Sequence, residues 1–251
     1  MACDNPIDFL VVGAQKAGTT ALHEFLMKHP TVDMPQRKEL HYFDEDSEFS
    51  TSPVDYSSYH SHFAPCISGR MRGEVTPIYM YWEPSIKRIW KYNPSIKIIV
   101  LLRNPIERAY SHWQMEVNRK ADNVDFIEAI TTESNRCRLA LPNQHRVYSY
   151  IDRGFYSEQL RKIWRYFPKR NVLVVNSDEL KDSAKSIMSD VCRHLSIEDF
   201  QQDVALSDRV FEGRYQEKMS DDARQFLTKT FEFEIKQLER MLDWDLSGWL
   251  E

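Results

Sequence analysis

Four short strand-like stretches, three of them apolar and rich in β-branched residues, punctuate the chain at Phe9–Val12, Arg70–Val75, Lys97–Leu102 and Val172–Asn176. Between them apolar positions recur three and four residues apart. That spacing predicts helices near Thr20–Lys28, Pro84–Tyr92, Ile106–Arg119, Asp125–Asn135, Tyr156–Phe167, Ala184–Leu195 and Asp221–Leu242. Strands that alternate with helices form βαβ units, and right-handed crossovers stack such units into a parallel sheet. The expected fold class is therefore α/β, a single domain with a central parallel sheet flanked by helices. In the last predicted helix Ser220 stands at the capping position, and Phe226, Leu227, Phe231, Ile235, Leu238 and Leu242 form an apolar stripe. Asp44 to Ala64 has a different texture, rich in Ser, Asp, Tyr and His with little periodicity, and reads as a long loop.

The first strand carries the first chemical signal. Asp8-Phe-Leu-Val-Val-Gly-Ala-Gln-Lys-Ala-Gly-Thr-Thr-Ala-Leu22 passes from an apolar run through a small-residue turn into a helix. A strand delivered into a helix N-terminus aims backbone N–H groups and the positive end of the helix dipole at one point, where an anion is stabilised. Gly13, Gly18 and Thr20 fit the spacing of the nucleotide loop G-x-x-x-x-G-K-[ST], but Thr19 occupies the lysine position and the turn's lysine is Lys16. In a nucleoside triphosphatase the lysine after the second glycine reaches the terminal phosphates and the next hydroxyl holds magnesium. The displaced lysine points to a different phosphate ester, with an ordinary βα turn as the alternative. The third strand ends in Arg103-Asn104-Pro105, with proline placed to open a helix that carries Ser111 two turns on. A cation and a cap stand where a triphosphatase would present a magnesium-binding Asp, so no metal is expected. For Arg103 the competing reading is a surface pair with Glu107.

Four segments, Gln15-Lys-Ala-Gly-Thr-Thr-Ala-Leu22, Lys38-Glu-Leu-His-Tyr-Phe-Asp44, Gly73-Glu-Val-Thr-Pro77 and Ile99-Val-Leu-Leu-Arg-Asn-Pro-Ile-Glu-Arg-Ala-Tyr-Ser111, stand in the order seen in sulfotransferases that use 3′-phosphoadenosine-5′-phosphosulfate. The chain resembles their heparan-sulfate-type branch and its bacterial relatives over nearly its whole length. The resemblance implies a P-loop-like sulfotransferase domain over residues 1–251 and this donor, with adenosine 3′,5′-bisphosphate as product. Gln15, Lys16, Ala17, Gly18, Thr19 and Thr20 would hold the 5′-phosphosulfate, Arg103 and Ser111 the 3′-phosphate, and Gly213 and Arg214 would close over the nucleotide. Glu39 would be the general base. His41 is the alternative base or a group that orients Glu39, and would point the same way if the segment is extended. Where the heparan-type relatives read Glu-Lys-Thr-Pro this chain reads Glu74-Val75-Thr76-Pro77. Their C-terminal cysteine pair is also missing. Both departures point to a bacterial relative acting on a smaller acceptor, a hydroxyl or amine of a natural product of secondary metabolism.

Composition narrows the setting. At 251 residues the chain can bury one substantial core. Thirty-three basic against thirty-eight acidic residues give a net charge of −5, which argues against nucleic acid as a partner and makes any anion site local. Cys3, Cys66, Cys137 and Cys192 lack metal-site spacing and suit free thiols. With no signal-like stretch near Met1, no membrane-length apolar run and no N-x-[ST] sequon, the expected location is cytoplasmic with no membrane partner. His23, His29, His60, His62 and His112 read as packing or surface groups. Trp82, Trp90, Trp113 and Trp164 read as core, with Trp82 and Tyr79 as possible walls of an acceptor pocket beside Asp44–Ala64 and Arg138–Tyr150.

Moving a sulfuryl group to a hydroxyl or amine needs in-line placement, cationic and N–H donors on the leaving oxygen, and a proton acceptor. Lys16 and Glu39 are the residues placed to supply them. A carbohydrate acceptor, a small-molecule kinase and a non-catalytic nucleotide-binding module are the competing readings; magnesium-free turnover separates the kinase, and indifference to loss of Glu39 the binding module.

Overall fold

The computed structural model describes residues 6–65, 67–200 and 218–251. In chain order the regular elements are β1 (Phe9–Gly13), α1 (Thr19–Met27), β2 (Val32–Asp33), α2 (Ser57–His60), β3 (Met71–Val75), α3 (Ser85–Tyr92), β4 (Lys97–Leu102), α4 (Pro105–Asn118), α5 (Phe126–Thr131), α6 (Glu133–Cys137), α7 (Tyr156–Tyr166), β5 (Val172–Asn176), α8 (Ser177–Asp182), α9 (Ala184–Leu195) and α10 (Asp221–Leu242). They fall into two compact units. The first comprises the chain up to Leu102 and the stretch beginning at Lys162; the second comprises Arg103–Arg161 and the C-terminal helix.

The first unit holds a five-stranded sheet, entirely parallel, in the order β2-β3-β1-β4-β5. Every residue of β1 is buried, and β4 is buried beyond Lys97. That double-sided burial is why these strands read as continuous apolar runs instead of alternating ones. Phe9 pairs with Gly73, and a Cβ at Gly73 would lie 2.4 Å from the Phe9 ring, so the glycine leaves the space that ring occupies. The two-residue β2 was not predicted, because Val32–Asp33 is too short to show a period. α8 was also missed; its one turn and a half is mostly polar and is started by the Asn176 side chain accepting from Asp178 N at 3.0 Å.

In the second unit α10 buries Leu227, Phe231, Ile235 and Leu238, and Ser220 Oγ accepts from Ala223 N at 3.3 Å, as the sequence predicts. Phe226 departs from the expected stripe and is 37% exposed. Buried Glu234 on the same helix takes Ser157 N at 2.6 Å and Ser157 Oγ at 2.8 Å. The helix expected over Asp125–Asn135 is two, broken at Thr132. The Thr131 and Thr132 hydroxyls turn back onto Ile127 O and Glu128 O at 2.7 Å, a contact that competes with helix propagation.

Candidate active site

β1 lies between β3 and β4, whose chain connections leave it on opposite sides. The carboxyl end of such a strand is the topological switch point where open α/β sheets bind ligands. The glycine loop stands there. Ala14 N bonds Leu101 O at 2.7 Å on the β4 side, while Thr76 N and Met80 N bond Val11 O and Val12 O at 3.1 and 2.8 Å on the β3 side. A Cβ on Gly13 would meet Met80 Sδ at 2.6 Å, so glycine lets the two segments touch. The turn closes with Ala17 N on Ala14 O at 3.1 Å, and Gly18, at φ +85°, enters α1 in the left-handed region. Thr19 is buried; Gln15, Lys16 and Thr20 are half-buried, and Ala17 is packed beneath the turn.

Six non-glycine residues among those described have positive φ: Lys16, Glu39, His41, Lys120, Ser196 and Asp243. Ser196 and Asp243 cap the C-termini of α9 and α10, and Lys120 follows the cap of α4, places where a left-handed residue commonly ends a helix. Lys16, Glu39 and His41 end no helix. They are the three residues the sequence puts forward for catalysis. A left-handed conformation costs an L-residue roughly 1–2 kcal/mol. Such strain persists only where surrounding contacts enforce it, and it gathers at functional sites.

The segment Lys38–Asp44 forms a charge relay in space. His41 Nδ1–H donates to the buried Asp44 carboxylate, 3.1 Å from both oxygens, and His41 Nε2 faces Glu39 Oε2 at 3.7 Å. The Lys38 ammonium bonds Glu39 Oε1. The segment is not extended as expected, since φ is +61° at Glu39 and +59° at His41, yet these two left-handed steps still turn both side chains to one place. Burial works to raise the Glu39 carboxyl, but the His41 hydrogen bond and the Lys38 charge outweigh it and hold it at about 2. The bonds to Asp44 and then Glu39 raise His41 to about 9 against burial. At neutral pH the pair is carboxylate and imidazolium, so Glu39 alone of the two can accept a proton. Sequence reasoning gave no role to Asp44, for which the i, i+3 spacing to His41 was the available signal; Lys38 was legible as an ion-pair partner of its neighbour Glu39.

A polar pocket of about 330 Å³ opens beside this relay, lined by Arg37, Leu40, His41, Tyr42, Glu48 and His62 among others. It draws on the Ser/Asp/Tyr/His-rich loop expected to wall the acceptor. Trp82 and Tyr79 are buried in the first unit.

In the second unit Arg103 precedes α4. Its carbonyl accepts from Tyr156 Oη at 3.0 Å, and Asn104 Oδ1 caps the helix by accepting from Ile106 N at 2.9 Å. Glu107, the partner of Arg103 in the competing reading, accepts from Arg224 at 2.6 Å. Ser111 lies on α4 and is buried. Gly213 and Arg214 lie outside the described residues. Among the described residues no group of His, Cys, Asp and Glu is placed to hold a metal, and no helix is long and apolar enough to cross a membrane.

Comparison with known proteins agrees with this architecture. The family model of the sulfotransferase domain matches residues 6–241. A human bifunctional heparan sulfate N-deacetylase/N-sulfotransferase 2 is 32% identical over 209 residues, 79% of this chain and 23% of its own. Human heparan sulfate glucosamine 3-O-sulfotransferase 5 is 28% identical over 174 residues, 68% of this chain and 48% of its own. The chain thus spans 23% and 48% of the length of these two curated relatives. A sulfotransferase from Alicyclobacillus acidocaldarius superposes with a TM-score of 0.82 at 25% identity, covering 98% of this chain and all of that one. With a parallel sheet, a glycine loop at its switch point and a domain match over almost the entire sequence, the chain belongs to the sulfotransferase family.

Proposed function

We propose that the protein transfers a sulfuryl group from 3′-phosphoadenosine-5′-phosphosulfate to a hydroxyl or amine of a small natural product, with residues 1–251 acting as one catalytic domain. The observation that carries this reading is the Asp44–His41–Glu39 relay, in which His41 lines a pocket sized for a small polar molecule and faces the ionised Glu39 carboxylate. The donor fits the residues present. The turn from Gln15 to Thr20 combines a half-buried lysine, a left-handed glycine and the N-terminus of a nine-residue helix, a donor set suited to a phosphosulfate. The donor would supply the sulfuryl group and a bisphosphate leaving group. Lys16 would place positive charge where the leaving oxygen gains negative charge, and Thr19 and Thr20 would orient the same end. Arg103 and Ser111 would hold the 3′-phosphate, with Gly213 and Arg214 closing over the nucleotide. Glu39 would accept the acceptor's proton at a carboxylate oxygen, with His41 steering it through Nε2–H. No residue in this scheme needs a metal. A carbohydrate acceptor is the second reading, supported by the likeness to enzymes named for heparan sulfate. Val75 standing where the heparan-type relatives carry lysine weighs against a polyanionic sugar.

Mass spectrometry of acceptor panels incubated with this donor and no divalent cation tests the activity: the expected result is a gain of SO₃ on a small hydroxyl or amine compound. No gain on any acceptor, or a gain of HPO₃ that appears only with ATP and magnesium, removes the reading. Donor choice is separately testable. Arg103→Ala is expected to weaken adenosine 3′,5′-bisphosphate by about ten- to a hundredfold, the loss of one charged hydrogen bond, while leaving AMP nearly unchanged. Calorimetry with both ligands decides it, and equal losses would remove Arg103 from the 3′-phosphate.

A further inference from the structure

Glu74 is completely buried at the end of β3, and nothing in the chemistry above uses it. Its carboxyl receives four donors. Tyr59 Oη and Tyr79 Oη reach Oε1 at 3.1 and 2.9 Å; Thr76 Oγ1 and Leu40 N reach Oε2 at 2.7 and 3.4 Å. Leu40 is the residue between Glu39 and His41. Tyr79 Oη in turn accepts from Tyr42 N at 3.0 Å and Phe43 N at 3.4 Å, so its single proton is left for Glu74. Glu39 N bonds Val75 O at 3.1 Å. Four of the five backbone N–H groups from Glu39 to Phe43 are thus held by the end of β3 and by Tyr79. Phe43 O is gripped by Ser85 Oγ and Arg88 from α3 at 3.1 and 3.0 Å. These contacts enforce the left-handed backbone at Glu39 and His41.

We infer that Glu74 and Tyr79 are positioning residues that hold the Glu39–His41 pair in its working geometry, an inference that rests on the function proposed above only for its effect on rate. Glutamine cannot replace Glu74. Its amide nitrogen would face either the Leu40 N–H or a Tyr79 hydroxyl whose lone pairs are already taken, and either way two donors meet. Burial raises the Glu74 pKa while its four hydrogen bonds work against that rise.

The decisive comparison is Tyr79→Phe against Tyr59→Phe. Both remove one donor from the same carboxyl, but only the first breaks the link to the Tyr42 and Phe43 amides. The His41 imidazole is titrated by NMR in protein free of donor and acceptor, its resonance assigned with His41→Ala. The parent is expected to titrate near 9. In Tyr79→Phe and Glu74→Gln the midpoint should fall by about a unit or more toward the unperturbed imidazole value, while Tyr59→Phe keeps the parent value. Turnover per nucleotide-binding molecule should fall about ten- to a hundredfold in the first two, with bisphosphate affinity intact. If Glu74→Gln does not fold, the two tyrosine variants still decide. An unchanged His41 midpoint in Tyr79→Phe, or an equal shift in Tyr59→Phe, overturns the inference. Because the titration needs no catalysis, absence of sulfuryl transfer in the parent would sink the proposed function and leave this result readable.

Discussion

Glu39→Gln is expected to lower turnover by about 10²–10⁴-fold on an alcohol acceptor, the range for a positioned general base, with affinity for adenosine 3′,5′-bisphosphate preserved. The substitution keeps shape and removes the member of the Glu39–His41 pair that can accept a proton at neutral pH. With its carboxyl held at about 2, Glu39 would be a weak base, so proton transfer to it would accompany formation of the bond to sulfur, when the acceptor oxygen turns acidic. A phenol, already more acidic, should lose less than an alcohol in the same variant. The pH profile follows from the two values. Below about 9 His41 is an imidazolium that presents Nε2–H to Glu39; above it Nδ1–H stays on Asp44 and Nε2 turns a lone pair toward the carboxylate. Turnover should therefore hold from neutrality upward and fall as pH passes about 9. His41→Ala should cost less than Glu39→Gln and remove that alkaline fall. Parental rates on an alcohol from Glu39→Gln, together with a dead His41→Ala, would reverse the two roles.

The parts of this site that were legible in sequence are those written by local rules. β1 and β4 announced themselves as unbroken apolar runs because parallel strands are buried on both faces, and Gly13 and Gly18 stood out because close approach and positive φ demand glycine. Pro105 at the start of α4 and Ser220 at the cap of α10 marked helix starts for equally local reasons. What could not be read is held by contacts distant in sequence. Leu40 N meets Glu74 across 34 residues, and Tyr42 N meets Tyr79 across 37, so no window along the chain contains both partners. The left-handed backbone at Glu39 and His41 was invisible for the same reason. Glutamate does not favour that conformation and histidine visits it only occasionally, so the residue types along the segment do not announce it. An extended reading was the natural local inference and failed there.

Lys16→Ala is expected to reduce turnover by about 10²–10³-fold, the cost of removing one preorganised donor from developing negative charge. Affinity for the spent nucleotide should fall far less, because the bridging oxygen carries its largest charge imbalance in the transition state. The backbone sharpens this experiment. Lys16 sits at φ +70°, a conformation equally unfavourable for alanine, so Lys16→Ala removes the ammonium without altering the strain of the turn. Lys16→Gly removes the ammonium and the strain together. If the charge is what matters, both variants lose turnover alike, and the glycine variant melts no lower than the alanine one, since relief of a left-handed L-residue offsets the added freedom of the unfolded chain. If the strained turn itself aligns the donor, Lys16→Gly should be slower than Lys16→Ala by a further order of magnitude or so, since small misplacements of reacting groups are costly. Steady-state rates, bisphosphate calorimetry and thermal melts on the two variants separate these cases. Normal turnover with lost binding in Lys16→Ala would make Lys16 a holder of ground-state phosphate and return the search for the transition-state cation to the rest of the chain.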